Sequence, residues 1–422
     1  MHKNIELRHN FNLSDLDFKH TKDLVKNWID NISNFSKNDK KNLAWIDLVM
    51  NYQTYFDDEK NQKFIKNLYD QKIEYLLVIA TDNDLMNIKA WYNLLKSQNL
   101  IDSQLKLIFL GDELNAEKLI EVLSSIENKK FAINLITKSD NNFVTSLFFR
   151  ELRKLLESKF GINNAQNLIA FSINNKKNIL NELALRNNYL VVNYSEEIPS
   201  RFNLFSPAIL FPILCLKIDY LEIFKGAKEA ISQVISAKSI SNNFLEYSIL
   251  KSLLNAKFHN EQIVVENQLK DFSNWFVQLF NETENKNNSQ LVLQNQLTLE
   301  NLINPKNRLL LEWKKSLNTL IEIKQDYQNI KEQIVNYNDK LVGFLDGTKP
   351  FKIDENAFKN VKLDIINSFE FKLTINNLTD IGYLIQNILL AASLNSYLNG
   401  ANPYTNATIE IFKNNIIKDI KE

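Results

Sequence analysis

The sequence predicts an α/β protein built from two layered units, and three observations carry that reading. From about residue 65, short apolar segments of strand character alternate with helical patterns, which implies parallel strands joined by crossover helices. A second block of the same kind begins near residue 219. The chain has 422 residues and is 45% hydrophobic, enough to bury more than one core.

The elements follow in order. Residues 1 to about 60 read as amphipathic helices, with Trp28, Ile29, Ile32 and Phe35 at helical spacing. The apolar run Tyr75 to Ala80 is the first expected strand, and LMNIKAWYNLLK after it is a helix. KLIFL (106–110) ends at Gly111, and NLITKS (134–139) precedes the helix SLFFRELRKLLESKFG (146–161). NLIAFSI (167–173) and YLVVNYS (189–195) read as further strands. The second block runs from a helix around 219–257 through the strand EQIVVE (261–266), the helix NQLKDFSNWFVQLF (267–280) and LVLQN (291–295). A long polar helix is expected over roughly 306–340, with short TLIEI-type segments. LTDIGYLIQNILLAASLNSYLNG (378–400) is a buried helix closed by Gly400. No period indicates a solenoid.

Composition excludes several classes. Fifty basic and fifty acidic residues cancel, so no overall field favours nucleic acid or acidic lipid. The lone cysteine, Cys215 in LFPILCLKI, reads as a core residue, leaves no disulfide framework within the chain and fits a reducing cytoplasm. The start, MHKNIELRHNFNLSDLD, lacks the apolar stretch of a secretory signal. The longest apolar run, about twelve residues from Pro207 to Ile218, is interrupted by Pro212 and Lys217 and falls short of the ~20 residues a membrane span needs. The expectation is a cytoplasmic protein without nucleic-acid partner or membrane span.

Only seven residues are glycine, far below the roughly 7% usual in proteins. The shortage matters at the turn after the first strand. A glycine loop there commonly lets backbone amides and a helix N-terminus hold a phosphate. This chain has Thr81, Asp82, Asn83 and Asp84 instead. Asp, Asn and Thr are good N-cap residues, worth about 0.5–2 kcal/mol over Ala, so Asp82 or Asp84 is expected to cap the helix.

Several segments together resemble the glucose-6-phosphate isomerase family. GYL (382–384) and SYLNGANPYTNATIEIFKNN (396–415) follow its pattern GYL…GVNPF…VE-x-x-K, and WIDL (45–48) matches its W-[VI]-DL. ITKSDNN (136–142) stands where the family has SKSGTT, SRFNLFSPAILFP (200–212) matches GGRYS…LLP, and WFVQLFNETENK (275–286) matches QLFGESEGK. The likeness is colinear over nearly the whole chain. It implies two sugar-isomerase (SIS) three-layer α/β/α domains with mostly parallel sheets, plus helical arms. The expected division is 1–64, an N-terminal helical arm; 65–205 and 206–400, the two domains; and 401–422, a C-terminal helix. The resemblance also implies a homodimer and a reaction, glucose 6-phosphate to fructose 6-phosphate, that needs no cofactor and no metal.

The family's functional residues carry over one at a time. Its proton-shuttling Glu falls on Glu282, the preceding Gln on Gln278, the enediolate-stabilising Arg on Arg201 and the C-terminal Lys on Lys413. In the phosphate loop Thr137, Lys138 and Ser139 are retained as binding candidates. Elsewhere the pattern breaks. The ring-opening His corresponds to Glu300, the GIGGS serine to Asp84, and the last residues of SKSGTT to Asp140, Asn141 and Asn142, while Pro199 and Ser200 replace two glycines. A carboxylate about 4 Å from one phosphate charge costs roughly 4 kcal/mol at an effective dielectric near 20. The resulting expectation is an isomerase fold with a closed pocket, kept for a structural or assembly role with protein partners. Two alternatives stay open: an active, divergent isomerase that still binds sugar phosphate, or a binder of another small molecule. Bland readings stand beside each site residue. Glu282 reads equally as a solvated side chain, Lys413 as solvent-facing, and Arg201 as a partner of Glu282 or Glu197.

Overall fold

The computed structural model describes residues 5–12, 18–35, 42–111, 116–138, 143–174, 179–237, 242–284, 292–295, 316–324 and 367–404. Ser139, Asp140, Asn142, Glu300 and Lys413, the 325–340 part of the expected polar helix and most of the 401–422 segment lie outside these residues.

The first sheet comprises β2 (Tyr75–Ile79), β3 (Lys106–Leu110), β4 (Phe131–Ile136), β5 (Ile169–Ile173) and β6 (Leu190–Asn193). Their order is β3-β2-β4-β5-β6, and every pairing is parallel. β4 and β5 are buried throughout, as expected of strands covered on both faces. The chain leaves β2 towards β3 on one side and reaches β4 on the other. The carboxyl ends of β2 and β4 therefore form the switch point where α/β sheets bind ligands. Right-handed crossovers put α4 (Asp82–Ser97) on one face. They put α5 (Ala116–Ile126), α6 (Phe143–Phe160) and α8 (Ile179–Arg186) on the other, with the short α7 (Ile162–Ala165) following α6.

The second sheet has the order β1-β10-β9-β7-β8, from β1 (Ile5–His9), β7 (Asn260–Val265), β8 (Val292–Asn295), β9 (Leu317–Lys324) and β10 (Ser368–Thr374). Only β1 is antiparallel, paired to β10. Two helical expectations are corrected here. Residues 5–9 form an edge strand whose Ile5, Leu7 and His9 alternate inward, a period too short to stand out beside the helix that follows. Residues 317–324, inside the expected polar helix, form an interior strand; flanking charges mask the β-branched Thr319, Ile321 and Ile323. The TLIEI segment is thus a strand, and the expected 219–257 helix is two, α10 (Tyr220–Ala237) and α11 (Asn243–Leu254).

α1 (Lys19–Ser33), α2 (Ala44–Met50) and α3 (Asp58–Asp70) precede the first sheet, and α9 (Pro207–Leu214) follows it, with Cys215 buried at its end. α12 (Lys270–Glu284) packs on α4, and Asn93 of α4 ties the two together by donating to the Gln268 carbonyl at 2.6 Å. α13 (Leu378–Leu398) is buried along nearly its whole length against α10, α11 and α12. The glycine of GYL acts at this crossing. A Cβ on Gly382 would lie 2.0 Å from the Ile223 carbonyl oxygen, and one on Gly226 would lie 1.9 Å from that of Thr379, so the two helix backbones touch. Past the helix, Gly400 adopts φ +71° and the Ala401 N–H reaches the Ser396 carbonyl at 2.9 Å, the expected C-terminal cap. Among the described residues, no helix is long and apolar enough to cross a membrane.

Candidate functional site

The turn after β2 lies at the switch point. Gly111 at the end of β3, with φ +107°, keeps that strand against the turn; a Cβ there would meet the Ala80 carbonyl oxygen at 2.4 Å. Thr81 occupies the N-cap position of α4 without capping a backbone amide. Its hydroxyl donates instead to Asp84 Oδ2 at 3.1 Å. Asp84 is only 3% exposed and points inward. Its Oδ1 accepts from the Tyr194 hydroxyl at 2.5 Å and from Asn203 Nδ2 at 3.5 Å. Asn203 also donates to the Tyr194 oxygen at 2.7 Å and accepts from Asn87 Nδ2 at 2.8 Å.

The capping expectation is thereby corrected. Asp84 sits in the first turn, where a negative charge suits the helix dipole, but its oxygens serve side chains from Tyr194, just past β6, and the 200–206 segment rather than backbone N–H groups. Burial raises the Asp84 carboxyl above the usual range; hydrogen bonds from Tyr194, Thr81 and Asn203 and the charge of Lys138 oppose that rise. Burial, together with Asp84, pushes the Tyr194 hydroxyl well above its ordinary value.

At the end of β4, Thr137 is buried and its N–H donates to the Ser172 carbonyl at 3.1 Å. Lys138 donates to the Ile198 carbonyl at 3.1 Å and lies 4.8 Å from the centre of the Tyr194 ring. Burial lowers its pKa, while Asp84 and Glu196 pull it back up. The retained lysine thus turns towards the protein's own Asp84.

Arg201, Gln278 and Glu282 come together from separate segments. Arg201, in a turn of 3-10 helix, is 6% exposed, and its Nη1 reaches Glu282 Oε2 at 3.5 Å and the Glu282 carbonyl at 3.2 Å. Burial lowers the Arg201 pKa, and Glu282 opposes the shift. Gln278, one turn before Glu282 on α12, donates at 2.6 Å both to Glu282 Oε1 and to Asn83 Oδ1 of the turn after β2. The crevice these residues share with Asn87, Ser200 and Trp275 holds about 10 Å³, roughly the space of one water.

The other matched segments close around this point. Trp45 of WIDL packs on Phe202 at 4.9 Å, Phe202 on Tyr404 at 5.4 Å, and Ser396 donates to the Thr283 carbonyl beside Glu282 at 2.8 Å. Neither His9 nor His259 lines the crevice. Among the described residues, no group of three His, Cys, Asp or Glu is placed to hold a metal ion. Sequence reasoning passed over Asn83, Asn87, Tyr194 and Asn203. Their signal is positional: Tyr194 follows the carboxyl end of β6, Asn83 follows that of β2, and Asn203 lies two residues past Arg201.

No family model matches the chain. It is similar to curated relatives along its whole length. One is the glucose-6-phosphate isomerase of Mycoplasmopsis pulmonis, 27% identical over 415 residues and 93% of each chain. Another is that of Mycoplasmopsis synoviae, 27% identical over 398 residues and 90% of each chain. Among solved structures, a hypothetical protein from Thermus thermophilus shares the fold with a TM-score of 0.74 at 17% identity, covering 96% of both chains. A glucose-6-phosphate isomerase from Chlamydia trachomatis superposes with a TM-score of 0.65 at 11% identity, over 96% of this chain and 84% of that one.

Proposed function

Because the chain is a divergent member of the glucose-6-phosphate isomerase family, we propose that it keeps the two-domain isomerase scaffold for a non-catalytic role in protein assembly. In this reading the sugar-phosphate cleft is closed by the protein's own side chains. The observation that carries the reading is Asp84. A carboxylate fixed by Tyr194, Asn203 and Thr81, with Lys138 drawn towards it, takes the position the resemblance gives to a phosphate-binding serine. The argument differs from simple repulsion at an exposed turn, since Asp84 faces inward and the exposed acid of the turn is Asp82. Where Asp84 is ionised, a sugar phosphate meets its charge at roughly 4 kcal/mol per phosphate charge at 4 Å, and the lysine meant for that phosphate is already engaged.

A second reading rests on a specific observation as well. Arg201, Gln278 and Glu282 stand in mutual contact, the arrangement a proton shuttle with a cationic neighbour needs. In an active isomerase, Glu282 would move the proton between C1 and C2 while Arg201 stabilises the enediolate; Lys413, with Thr137, Lys138 and Ser139, would complete the site. A coupled assay separates the two readings. The non-catalytic role predicts no turnover of fructose 6-phosphate above background, whereas turnover that Glu282→Gln abolishes establishes the isomerase. Further parts of the proposal are the homodimer, the cytoplasmic location and the domain limits near residues 65, 205 and 400. They agree with the family's habit and with two sheets whose strands lie at 75–193 and, apart from β1, 260–374.

A further inference from the structure

A second pocket, of about 560 Å³, lies between α1 and the end of α13 and shares no lining residue with the Arg201–Glu282 crevice. Its size falls within the roughly 300–1,000 Å³ usual for small-molecule sites. None of the described residues lining it is Asp, Glu, Lys, Arg or His. A charged ligand entering it would lose hydration with no counter-charge in return.

The walls are aromatic and held in place. Trp28, 3% exposed, donates from its indole to Ser393 Oγ at 3.1 Å, and Ser393 shares a 2.9 Å hydrogen bond with the Tyr404 hydroxyl. The Tyr404 ring is braced from behind by Phe202. Tyr397 adds a third, half-buried ring. Amides stand among these faces. Asn31 lies one turn along α1 from Trp28, and Asn402 is positioned by accepting the Tyr404 N–H at 2.9 Å. Fixed aromatic faces with amides beside them match a ligand that presents both an apolar C–H face and a ring of hydroxyls. An all-apolar ligand would leave the amides unanswered.

We propose that this pocket binds an uncharged pyranose sugar, separately from the cleft at the sheet ends. The test uses the full chain titrated with methyl α-glucoside, which carries no anion and cannot open, followed by saturation-transfer NMR and calorimetry. Glucose 6-phosphate and adenosine serve as comparators. The expected result is saturable binding of the glucoside, weakened about tenfold by Tyr397→Ala and about three- to tenfold by Asn31→Ala, with much weaker binding of both comparators. Asn31 is exposed, so its variant tests the site even if the Tyr397 variant fails to fold. The proposal is overturned if the glucoside shows no saturable binding, if glucose 6-phosphate or adenosine binds as well, or if both variants bind unchanged. Loss of glucoside binding in Glu282→Gln would move the sugar to the cleft and overturn it equally.

Discussion

Two buried carboxylates, one in each half of the molecule, have opposite surroundings. Glu261, at the amino end of β7, is 0% exposed and pairs with the ammonium of Lys251, itself 1% exposed. The Tyr247 and Thr319 hydroxyls donate to it at 2.7 and 2.6 Å. Asp84 lies at the carboxyl end of the first sheet, at the switch point, with hydroxyls and an amide for company and a lysine that reaches it only through its charge. The Glu261 cluster is a closed structural unit away from the ligand end of its sheet. Asp84 bears the desolvation of a site in which a ligand group would otherwise sit. Position along the strand thus separates a structural carboxylate from one that has taken over a binding position.

If that contrast holds, the largest effect comes from the Glu261 side. Lys251→Ala strands a buried carboxylate and should cost about 3–5 kcal/mol in denaturant unfolding, enough to unfold many domains. Lys251→Met combined with Glu261→Gln should recover most of that loss, since Gln still accepts from Tyr247 and Thr319. A double variant no better than the single one would deny the pair its closed structural character.

Next in size is Tyr194→Phe, which removes the 2.5 Å hydrogen bond to Asp84 and should cost about 1–3 kcal/mol. It should also raise the Asp84 pKa further, visible by carbon-detected NMR titration of the carboxyl. A loss below about 0.5 kcal/mol would show that the network around Asp84 is loosely held.

The smallest effect is Asp84→Asn, and its pH dependence sharpens the comparison most. Burial raises the folded-state carboxyl above its unfolded value, so folding favours the protonated form. The penalty for ionisation is absent below the unfolded pKa near 3.8 and grows as pH rises towards the folded value. The variant should therefore lie within about 1 kcal/mol of the native chain near pH 4 and gain on it steadily towards neutral pH. A difference that stays flat with pH would show that Asp84 titrates as an exposed acid.

The parallel sheet was legible because its strands are apolar runs separated by helical periods, and all five expected segments lie in register side by side. The meeting of Arg201, Gln278 and Glu282 was also readable from segments quoted in order along the chain. The partners of Asp84 were not readable, because Tyr194 and Asn203 lie 110 and 119 residues further on, and only the folded sheet brings them to the turn. The capping expectation failed for the same reason. A local pattern of Thr, Asp, Asn and Asp fits a helix cap, and a distant hydroxyl outcompeted the backbone for the carboxylate. β1 and β9 were missed because five or eight residues beside charged helical patterns carry too little period to outweigh them.

The closed cleft is tested most directly by titrating fructose 6-phosphate into the native chain and into Asp84→Ser by calorimetry. The account predicts no binding tighter than about 1 mM by the native chain and a gain of at least about tenfold in the variant, as Lys138 is freed for the phosphate. Micromolar binding by the native chain, or an affinity that Asp84→Ser leaves unchanged, would contradict it.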